Sequence, residues 1–388
     1  MRYAVLLVCL VLASLRAAAE DTLAERVRAL AERHLETLIH HPRERRANPL
    51  QAPGGIIAVY IGGKQFFHAA GRIDPHGNPP TKDTVFGLGS VTKTFTTSIL
   101  GQHPELFTQA ITAGALPPGF DLQPAEQAAT FEQLATFTAG IPSAPDFCSG
   151  ITQPVCTQAQ FIEFINSVTP KDGTLPAPNE YSDSSVGFLA QILMFRDGFQ
   201  DFGPEATEEW LNRNLFSHLG MKNTHTRPVH DAAHPLSAAY NYCSDSGYSH
   251  VAHAPWVPWG AAGRAYSTAA DMMRFVQAYV GERTIDGKEV PERVLAGMRR
   301  AVEPRAPMTK SSVLRQGFAW VVSPEELPVK SRISGKAGGI NGVSSYVAVN
   351  PDLGYGVVTL TNLHYAPAEE ATMALMNELR EVAVELRK

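Results

Sequence analysis

The sequence predicts an α/β protein of the α+β type: a mainly antiparallel sheet from both chain ends, flanked by terminal helices, with a large helical insertion. Three observations predict this fold class. The N-terminal part has the pattern of a helix followed by a hairpin, and the C-terminal part that of a hairpin followed by a helix. Helical patterns and long Pro/Gly loops fill the middle, roughly residues 90–325. The middle lacks regular strand–helix alternation, which argues against a parallel doubly wound sheet.

Amphipathic patterns and turn signals locate the terminal elements. Residues 22–40 carry one apolar helical face, formed by Leu23, Val27, Leu30, Ala31, Leu35 and Leu38. Residues 54–61 and 64–71 predict two strands, because the Gly62-Gly63 pair between them suits a two-residue hairpin turn. At the other end, further strands and a helix are predicted at 344–349, 355–361 and 367–388. The last helix has an apolar face formed by Leu375, Leu379, Val382 and Leu386.

The first residues resemble a secretory signal peptide. Arg2 supplies a positive charge, and residues 4–15 form an apolar run that is too short to span a membrane comfortably. Small residues at 17–19 offer a cleavage site before Glu20. An uncleaved anchor or a buried N-terminal helix is the alternative. We therefore expect a periplasmic or secreted protein.

The expected organisation is a signal peptide at 1–19 followed by a single domain at 20–388. Within that domain, the sheet should come from residues of about 20–89 and 315–388. The helical part should span about 90–314. No internal repeat and no low-complexity tract suggests a further unit.

Composition excludes several classes of function. The 388 residues are 44% hydrophobic and 18% charged, which is typical of a globular protein. With a formal net charge of −5 and no Lys/Arg-rich run, a nucleic-acid partner is not expected, and no specific protein partner is implied. His230 and His234 lie four residues apart, but Pro228 and Pro235 favour a loop over a metal site. No metal and no organic cofactor are expected.

Export would place the cysteines in an oxidising compartment. Beyond the signal peptide the chain has Cys148, Cys156 and Cys243, so one disulfide and one free thiol are the simplest arrangement. Cys148–Cys156, which would close a short loop, is the favoured pair, and the sequence leaves the connectivity open.

The segment FGLGSVTKTFTTSIL, residues 86–100, contains the only Ser-x-x-Lys of the chain. If a helix starts at Ser90, Lys93 lies one turn further on the same face, and Ser90 sits at the positive helix end, where an oxyanion is favoured. A serine hydroxyl attacks when a neighbour takes its proton. A lysine can take it if burial or a nearby cation lowers its pKa. The alternative is a Ser N-cap beside an exposed Lys.

A second motif is NEYSDSSVGFLAQIL, residues 179–193, in which Tyr181-Ser182-Asp183 precedes an apolar helical pattern. A phenol and a polar group two residues apart at a loop end can point together into a cleft. The alternative is that Tyr181 is a packed aromatic and that Ser182 or Asp183 caps the helix. Both interpretations are compatible.

A third motif is ISGKAGGINGVSSYVAV, residues 333–349, in which Lys336-Ala337-Gly338-Gly339 leads toward a predicted strand. Glycines there allow a substrate backbone to approach closely, and a strand edge offers N–H groups for an oxyanion hole. The alternative is a flexible glycine loop with a solvated lysine. There is no G-x-S-x-G, which argues against an α/β-hydrolase.

The order Ser-x-x-Lys, Tyr-Ser-Asp, Lys-Ala-Gly resembles the serine β-lactamase and penicillin-binding protein superfamily, above all its class C β-lactamase-like branch. GGIIAVYIGGKQFFHAAGRID is similar to that branch's opening hairpin, and DTVFGLGSVTKTFT to its nucleophile segment. LFSHLGMKNTHT, WGAAGRAYSTAADMMRFVQAYV and GFAWVV resemble three further segments, so the likeness covers roughly residues 50–365. The spacing after Lys336 and the ADMMRF helix are most similar to AmpH-like D-alanyl-D-alanine carboxypeptidase/endopeptidases.

The resemblance implies a β-lactamase/transpeptidase-like fold and a covalent acyl-enzyme. Ser90 would attack a carbonyl, and Lys93 would take its proton or tune the base. Tyr181 would relay a proton to the leaving group and help to activate water. Lys336 would lower the pKa of Tyr181 and Lys93 and attract a substrate carboxylate. The N–H groups of Ser90 and Gly339 would form the oxyanion hole.

Several positions depart from the family's pattern. Asp183 stands where the family usually has Asn, and a carboxylate there would pair with Lys93 and raise its pKa. Ala337 replaces the usual Thr or Ser, so a hydroxyl expected to bind the substrate carboxylate is lost. Phe137 and Ala139 stand within LATFTAGIP, where H-T-S-G is common. These changes favour an esterase-like or altered substrate range.

We therefore expect an exported serine hydrolase that is acylated on Ser90. A D-Ala-D-Ala carboxypeptidase/endopeptidase acting on peptidoglycan peptides is the leading hypothesis, followed by a class C-like β-lactamase and a carboxylesterase. The expected partners are thus peptidoglycan-derived peptides or β-lactams as small substrates. The alternative from another class is a non-catalytic penicillin-binding sensor or scaffold.

Overall fold

The structure is a computed structural model of the 388-residue chain. It describes residues 2–39, 53–122, 129–143, 156–169, 174–243, 247–327 and 329–388, and of residues 2–20, 243 and 247 only the backbone. The α-helices are α1 (Arg2–Ile39), α2 (Lys93–Gly101), α3 (Phe131–Ala135), α4 (Gln158–Ser167), α5 (Asp183–Arg196), α6 (Pro204–Leu211), α7 (Ser217–Leu219), α8 (Ala269–Tyr279), α9 (Glu292–Ala301) and α10 (Ala368–Glu385).

The strands are β1 (Gly55–Ile61), β2 (Lys64–Ala70), β3 (Val85–Gly87), β4 (Ala239–Cys243), β5 (Gly247–Val251), β6 (Tyr266–Thr268), β7 (Thr284–Ile285), β8 (Lys288–Glu289), β9 (Ala306–Met308), β10 (Ser311–Gln316), β11 (Val321–Val322), β12 (Ser334–Ile340), β13 (Val343–Asn350) and β14 (Tyr355–Thr361). In the described residues, the main sheet has eight strands in the order β2-β1-β14-β13-β12-β11-β10-β9. Every pair in it is antiparallel, so the predicted fold class is confirmed.

Strands from the two chain ends pair with each other as the second and third strands of the sheet. Gly55 of β1 lies opposite Thr361 of β14, and β1 turns back into β2 through Gly62 and Gly63. Both glycines have positive φ, +60° and +76°, as a tight hairpin turn with the twist of the strands requires. The sequence thus predicted both the hairpin and its turn.

Helices cover both faces of the sheet. On one face, α1 and α10 pack over β1 and β14, and Val27, Leu38 and Leu379 are buried there. Burying one such side chain contributes about 2 kcal/mol. On the other face α8 packs on β1 and β14, and Val276 lies against Gly356 of β14. The apolar faces predicted for the terminal helices are confirmed, except that α10 ends at Glu385 and leaves Leu386 half-exposed.

The sheet extends past the strands that the sequence predicts, through β12, β11, β10 and β9. Its outermost strand, β9, begins at Ala306, whereas the sequence places the second part of the sheet at about 315–388. Three of the seven residues of β12 are glycines, which have low strand propensity. Backbone pairing with β13 along its whole length holds β12 in place.

The helical part is organised around α2, whose residues are all buried. Phe95 makes edge-to-face contacts with Phe216 and Phe275 at centroid distances of 5.0 and 4.9 Å. Because it is enclosed on all sides, α2 gives the side chains at its start a rigid support.

No helix in the described residues is long and apolar enough to cross a membrane. The backbone of residues 2–19, the segment expected to be a signal peptide, forms the first part of α1. Cys156 is buried and disulfide-bonded, whereas Cys148 lies outside the described residues. The pairing Cys148–Cys156 and the signal peptide remain predictions.

Candidate active site

Ser90 lies in a 3₁₀ turn, Gly89–Thr92, which leads directly into α2. The turn starts with Gly89 at a φ of +50°, a conformation that favours glycine. Thr92 Oγ1 donates to Gly89 O at 2.6 Å and accepts from Ala265 N at 3.1 Å, so both ends of the turn are fixed. The α-helix therefore begins three residues after Ser90, and the 3₁₀ turn still places Lys93 over the serine.

Lys93 is fully buried, and its ammonium has three partners. Lys93 Nζ lies 3.1 Å from Ser90 Oγ and 2.7 Å from Ala262 O, and it forms a close ion pair with Asp183 Oδ1. An ammonium has three N–H donors, and each one has an acceptor here. The alternative of an exposed lysine beside a capping serine is therefore wrong.

Tyr181 lies on the other side of Ser90. Its Oη is 2.5 Å from Ser90 Oγ and 3.2 Å from Asp183 Oδ1 and can donate its proton to either. The phenol ring packs on Phe137 at a centroid distance of 5.1 Å. One carboxylate oxygen, Asp183 Oδ1, thus contacts both Lys93 and Tyr181.

The start of α5 explains why Tyr181 and Asp183 point into one site. Ser182 caps the helix by accepting from Ser185 N at 2.9 Å, which fixes its neighbours on either side. Asp183 is the first residue of α5, where the helix dipole favours a carboxylate. Of the two expected caps, Ser182 is the one that forms, and the functional and capping interpretations hold together.

Strand β12 places Lys336, Gly338 and Gly339 against the nucleophile turn. A Cβ added to Gly338 would lie 2.0 Å from Leu88 O, and one added to Gly89 would lie 2.7 Å from Gly339 N. The two backbones therefore touch, which is possible only because these positions carry no side chain. The alternative of a flexible glycine loop is wrong. All seven predicted site residues lie together.

Burial and neighbouring charges set the ionisation of the two lysines. Burial lowers the pKa of Lys93, the Asp183 carboxylate opposes this shift, and the Arg264 guanidinium adds to it. Burial and the nearby Lys93 ammonium lower the pKa of Lys336 to about 7. The expectation that Asp183 pairs with Lys93 is confirmed, but burial outweighs the pair and leaves the pKa of Lys93 lowered.

The pKa of Asp183 is lowered and that of Tyr181 is raised, which favours a carboxylate and a neutral phenol. Burial acts to raise the pKa of Asp183, but the Lys93 and Lys336 ammonium groups and the Tyr181 hydroxyl together lower it. The expectation that Lys336 lowers the pKa of Tyr181 is wrong. Burial of the hydroxyl away from water, followed by the charge of Asp183, raises the pKa of Tyr181 well above its usual value. The rest of the side chain is more open, since 47% of the Tyr181 surface is exposed.

Two groups that contribute to the site were not predicted from the sequence. The carbonyl of Ala262 holds Lys93, and a backbone acceptor leaves no side-chain signal. Arg264 is buried and donates to Pro255 O at 2.8 Å. A single charged residue within the otherwise apolar WGAAGRAY run was the available signal for Arg264.

A cavity of about 420 Å³, here called the inner cavity, opens beside Tyr181 and Lys336. Phe137 and the β9–β10 turn also line it. No group of His, Cys, Asp and Glu that could hold a metal ion occurs in the described part of the chain. His234 instead pairs with Asp231 at 3.0 Å in a loop. Serine chemistry is what this arrangement supports.

The sequence model of the Beta-lactamase family matches residues 43–379. The chain belongs to the β-lactamase family. It is 27% identical over 326 residues to penicillin-binding protein 4 of Amycolatopsis lactamdurans, covering 80% of this chain and 81% of that protein. It is therefore a serine hydrolase of the β-lactamase and penicillin-binding protein superfamily, and β-lactams are the small substrates of this family.

Solved structures show the same fold. A class C β-lactamase from Rhodobacter sphaeroides matches with a TM-score of 0.69 and 21% identity, over 90% of this chain and 99% of that one. A β-lactamase/D-alanine carboxypeptidase from Pseudomonas syringae matches with a TM-score of 0.67 and 23% identity, over 84% and 93%. The predicted resemblance is thus confirmed at the level of superfamily and fold.

Proposed function

We propose that this β-lactamase-family protein is an exported serine hydrolase that cleaves D-Ala-D-Ala-type peptides of peptidoglycan through an acyl-enzyme on Ser90. The observation that carries the proposal is the contact of one hydroxyl, Ser90 Oγ, with both Lys93 Nζ at 3.1 Å and Tyr181 Oη at 2.5 Å. A nucleophile between a base and a proton donor is what acyl transfer requires.

The contacts of Lys93 suit a neutral amine as the base. A neutral amine keeps two N–H donors, which can stay on Asp183 and Ala262 O, and it turns its lone pair to Ser90. When Lys93 takes the proton of Ser90, the new ammonium lies beside the Asp183 carboxylate. Asp183 therefore stabilises the product of the proton transfer, while burial keeps the neutral form accessible.

Tyr181 is suited to protonate the leaving group. Its raised pKa keeps the phenol protonated at neutral pH, and Tyr181 lines the inner cavity. The proton held on Lys93 can return to Tyr181 through Asp183 Oδ1, which contacts both groups. We assign the oxyanion hole to the N–H groups of Ser90 and Gly339, because the β12 backbone touches the turn there.

Two features support a D-Ala-D-Ala substrate. A structural neighbour is described as a β-lactamase/D-alanine carboxypeptidase, and a relative as a penicillin-binding protein. Lys336 adds a cation for a terminal carboxylate. The loss of a hydroxyl at Ala337 favours a second candidate, an esterase with the same mechanism, and the β-lactamase relatives support β-lactam hydrolysis as another outcome.

Parallel turnover assays test the proposal. An acyl-D-Ala-D-Ala peptide, a penicillin and a p-nitrophenyl ester are incubated with the wild type and with Ser90→Ala. We expect D-alanine release from the peptide by the wild type alone. Ester or penicillin turnover without D-alanine release would replace the peptidase with the esterase or β-lactamase. Binding of penicillin without any turnover would instead indicate a non-catalytic sensor.

A further inference from the structure

A second cavity, here called the outer cavity, adjoins the inner one. It measures about 860 Å³, within the range of sites that bind small molecules. Asn179, Met308 and Thr309 line both cavities, so these residues form a common wall. The inner cavity, which Tyr181 and Lys336 also line, therefore borders a larger space.

Hydrogen bonds hold the common wall in place. Thr309 Oγ1, in the β9–β10 turn, donates to Asn179 O at 2.7 Å. Asn179 Nδ2 donates in turn to Thr136 O at 2.7 Å. Asn179 is only two residues from Tyr181, and the inner cavity connects the two. The outer cavity consequently adjoins the cavity that is lined by Tyr181, the residue assigned as proton donor to the leaving group.

The charges that line the outer cavity neutralise each other. Among the described residues that line it, the one cation, Arg305, pairs with the one anion, Glu132, at 3.5 Å. The guanidinium is fixed between the rings of Phe107 and Phe318, 4.9 and 4.1 Å from their centroids, and also pairs with Glu303 at 2.9 Å. A bound anion would have to compete with two carboxylates for this group, so the cavity does not select for negative charge.

Small polar and apolar groups make up the rest of the lining. Side-chain amides come from Gln133 and Asn179, and apolar surface from prolines and Met308. Hydroxyls come from Thr108, Thr130, Thr136, Thr138, Thr174 and Thr309. Hydroxyl and amide groups beside apolar surface suit an uncharged chain that carries its own hydroxyl or amide groups.

We propose that the outer cavity is a subsite for the leaving-group side of the substrate and binds an uncharged, amide- or hydroxyl-bearing chain. The proposal rests on the proposed function, because it takes Tyr181 as the proton donor to the leaving group. A single terminal residue would occupy the inner cavity alone. A longer leaving group would pass Asn179 and fill the outer cavity as well, so the enzyme favours internal bonds over terminal ones.

A series of esters with one common acyl-D-alanyl group tests this subsite. The leaving alcohols are lactamide, lactyl-glycyl-glycinamide and the same long chain with two aspartates in place of the glycines. We expect kcat/KM for the long neutral ester to exceed that for the short one about tenfold or more. The long anionic ester should show no such gain. In this reaction the alcohol leaves and water takes up the acyl group, so no other reactant is needed.

Two matched variants locate the effect. Ala306→Phe fills the outer cavity from β9, whereas Ser312→Phe adds the same ring at an exposed position of β10 that lines neither cavity. Ala306→Phe should abolish the preference for the long ester and leave turnover of the short ester, which also reports folding, within about twofold. Ser312→Phe should keep both.

Equal rates for short and long neutral esters in the wild type would overturn the subsite, while turnover itself still supported the serine hydrolase. A preference that survives in Ala306→Phe would overturn it as well. If no ester of the series were hydrolysed, the proposed function would fail, and the subsite with it.

Discussion

Replacing Gly338 with alanine tests how closely β12 must approach the nucleophile turn. The new Cβ would lie 2.0 Å from Leu88 O and 2.4 Å from Ser345 Oγ, whereas real Cβ atoms essentially never come within 3.0 Å of such neighbours. The strand and the turn must therefore separate by about 1 Å (3.0 − 2.0). Leu88 is two residues from Ser90, so this separation moves the nucleophile relative to Lys336 and Gly339.

A displacement of this size in an active site costs about 100-fold in rate. Overpacking of a well-packed region costs about 1–3 kcal/mol of stability. We thus expect Gly338→Ala to lower kcat/KM for a p-nitrophenyl ester about 100-fold while the protein stays folded by circular dichroism.

Gly114→Ala, which adds a methyl group outside the site, is the control, because its new Cβ meets nothing within 4 Å. Its kcat/KM should stay within about threefold of the wild type. Wild-type activity in Gly338→Ala, or an equal loss of activity in both variants, would show that the close approach of β12 to the turn does not set the rate.

Three further predictions concern the titratable groups. Tyr181→Phe keeps the ring but removes both Oη contacts, so kcat should fall about 100-fold or more; an unchanged kcat excludes Tyr181 as proton donor. Asp183→Asn removes the charge that favours protonated Lys93, so the acid limb of kcat/KM for a neutral ester should move about one unit or more to lower pH. If the acid limb of the Asp183→Asn profile does not move, Lys93 is not the base. Lys336 loses its charge as the pH rises through its pKa of about 7, so KM for a carboxylate-bearing substrate should rise about tenfold between about pH 6 and pH 8. KM for a neutral analogue should not rise. Equal rises for both substrates would contradict the role of Lys336 in binding the carboxylate.

The terminal elements were predictable because their signals are local. The apolar face of α1 and the Gly62-Gly63 turn follow from spacing and composition, and both occur as expected. Strand β12 was not predicted, since its glycines carry no strand signal and only pairing with β13 makes it a strand. The short strands β9 and β11 likewise depend on partners that are distant in sequence.

The residues of the candidate site could be predicted from the sequence, but the directions of their pKa shifts could not. The Ser-x-x-Lys spacing placed Lys93 over Ser90, and the motif order brought in Tyr181. The direction of the Tyr181 shift was wrong because burial and Asp183 act more strongly than the more distant Lys336, whose Nζ lies 5.0 Å from the ring centroid. Burial of a particular hydroxyl follows from the packed structure rather than from the motif.

The central claim is that Ser90 is the residue that becomes acylated. Intact mass of the protein after mixing with a penicillin, followed over time together with peptide mapping, tests it most directly, and Ser90→Ala serves as the control. We expect one adduct on the peptide that contains Ser90, lasting or transient, and none in Ser90→Ala. An adduct of the same stoichiometry in Ser90→Ala, or penicillin hydrolysis by that variant, would contradict it.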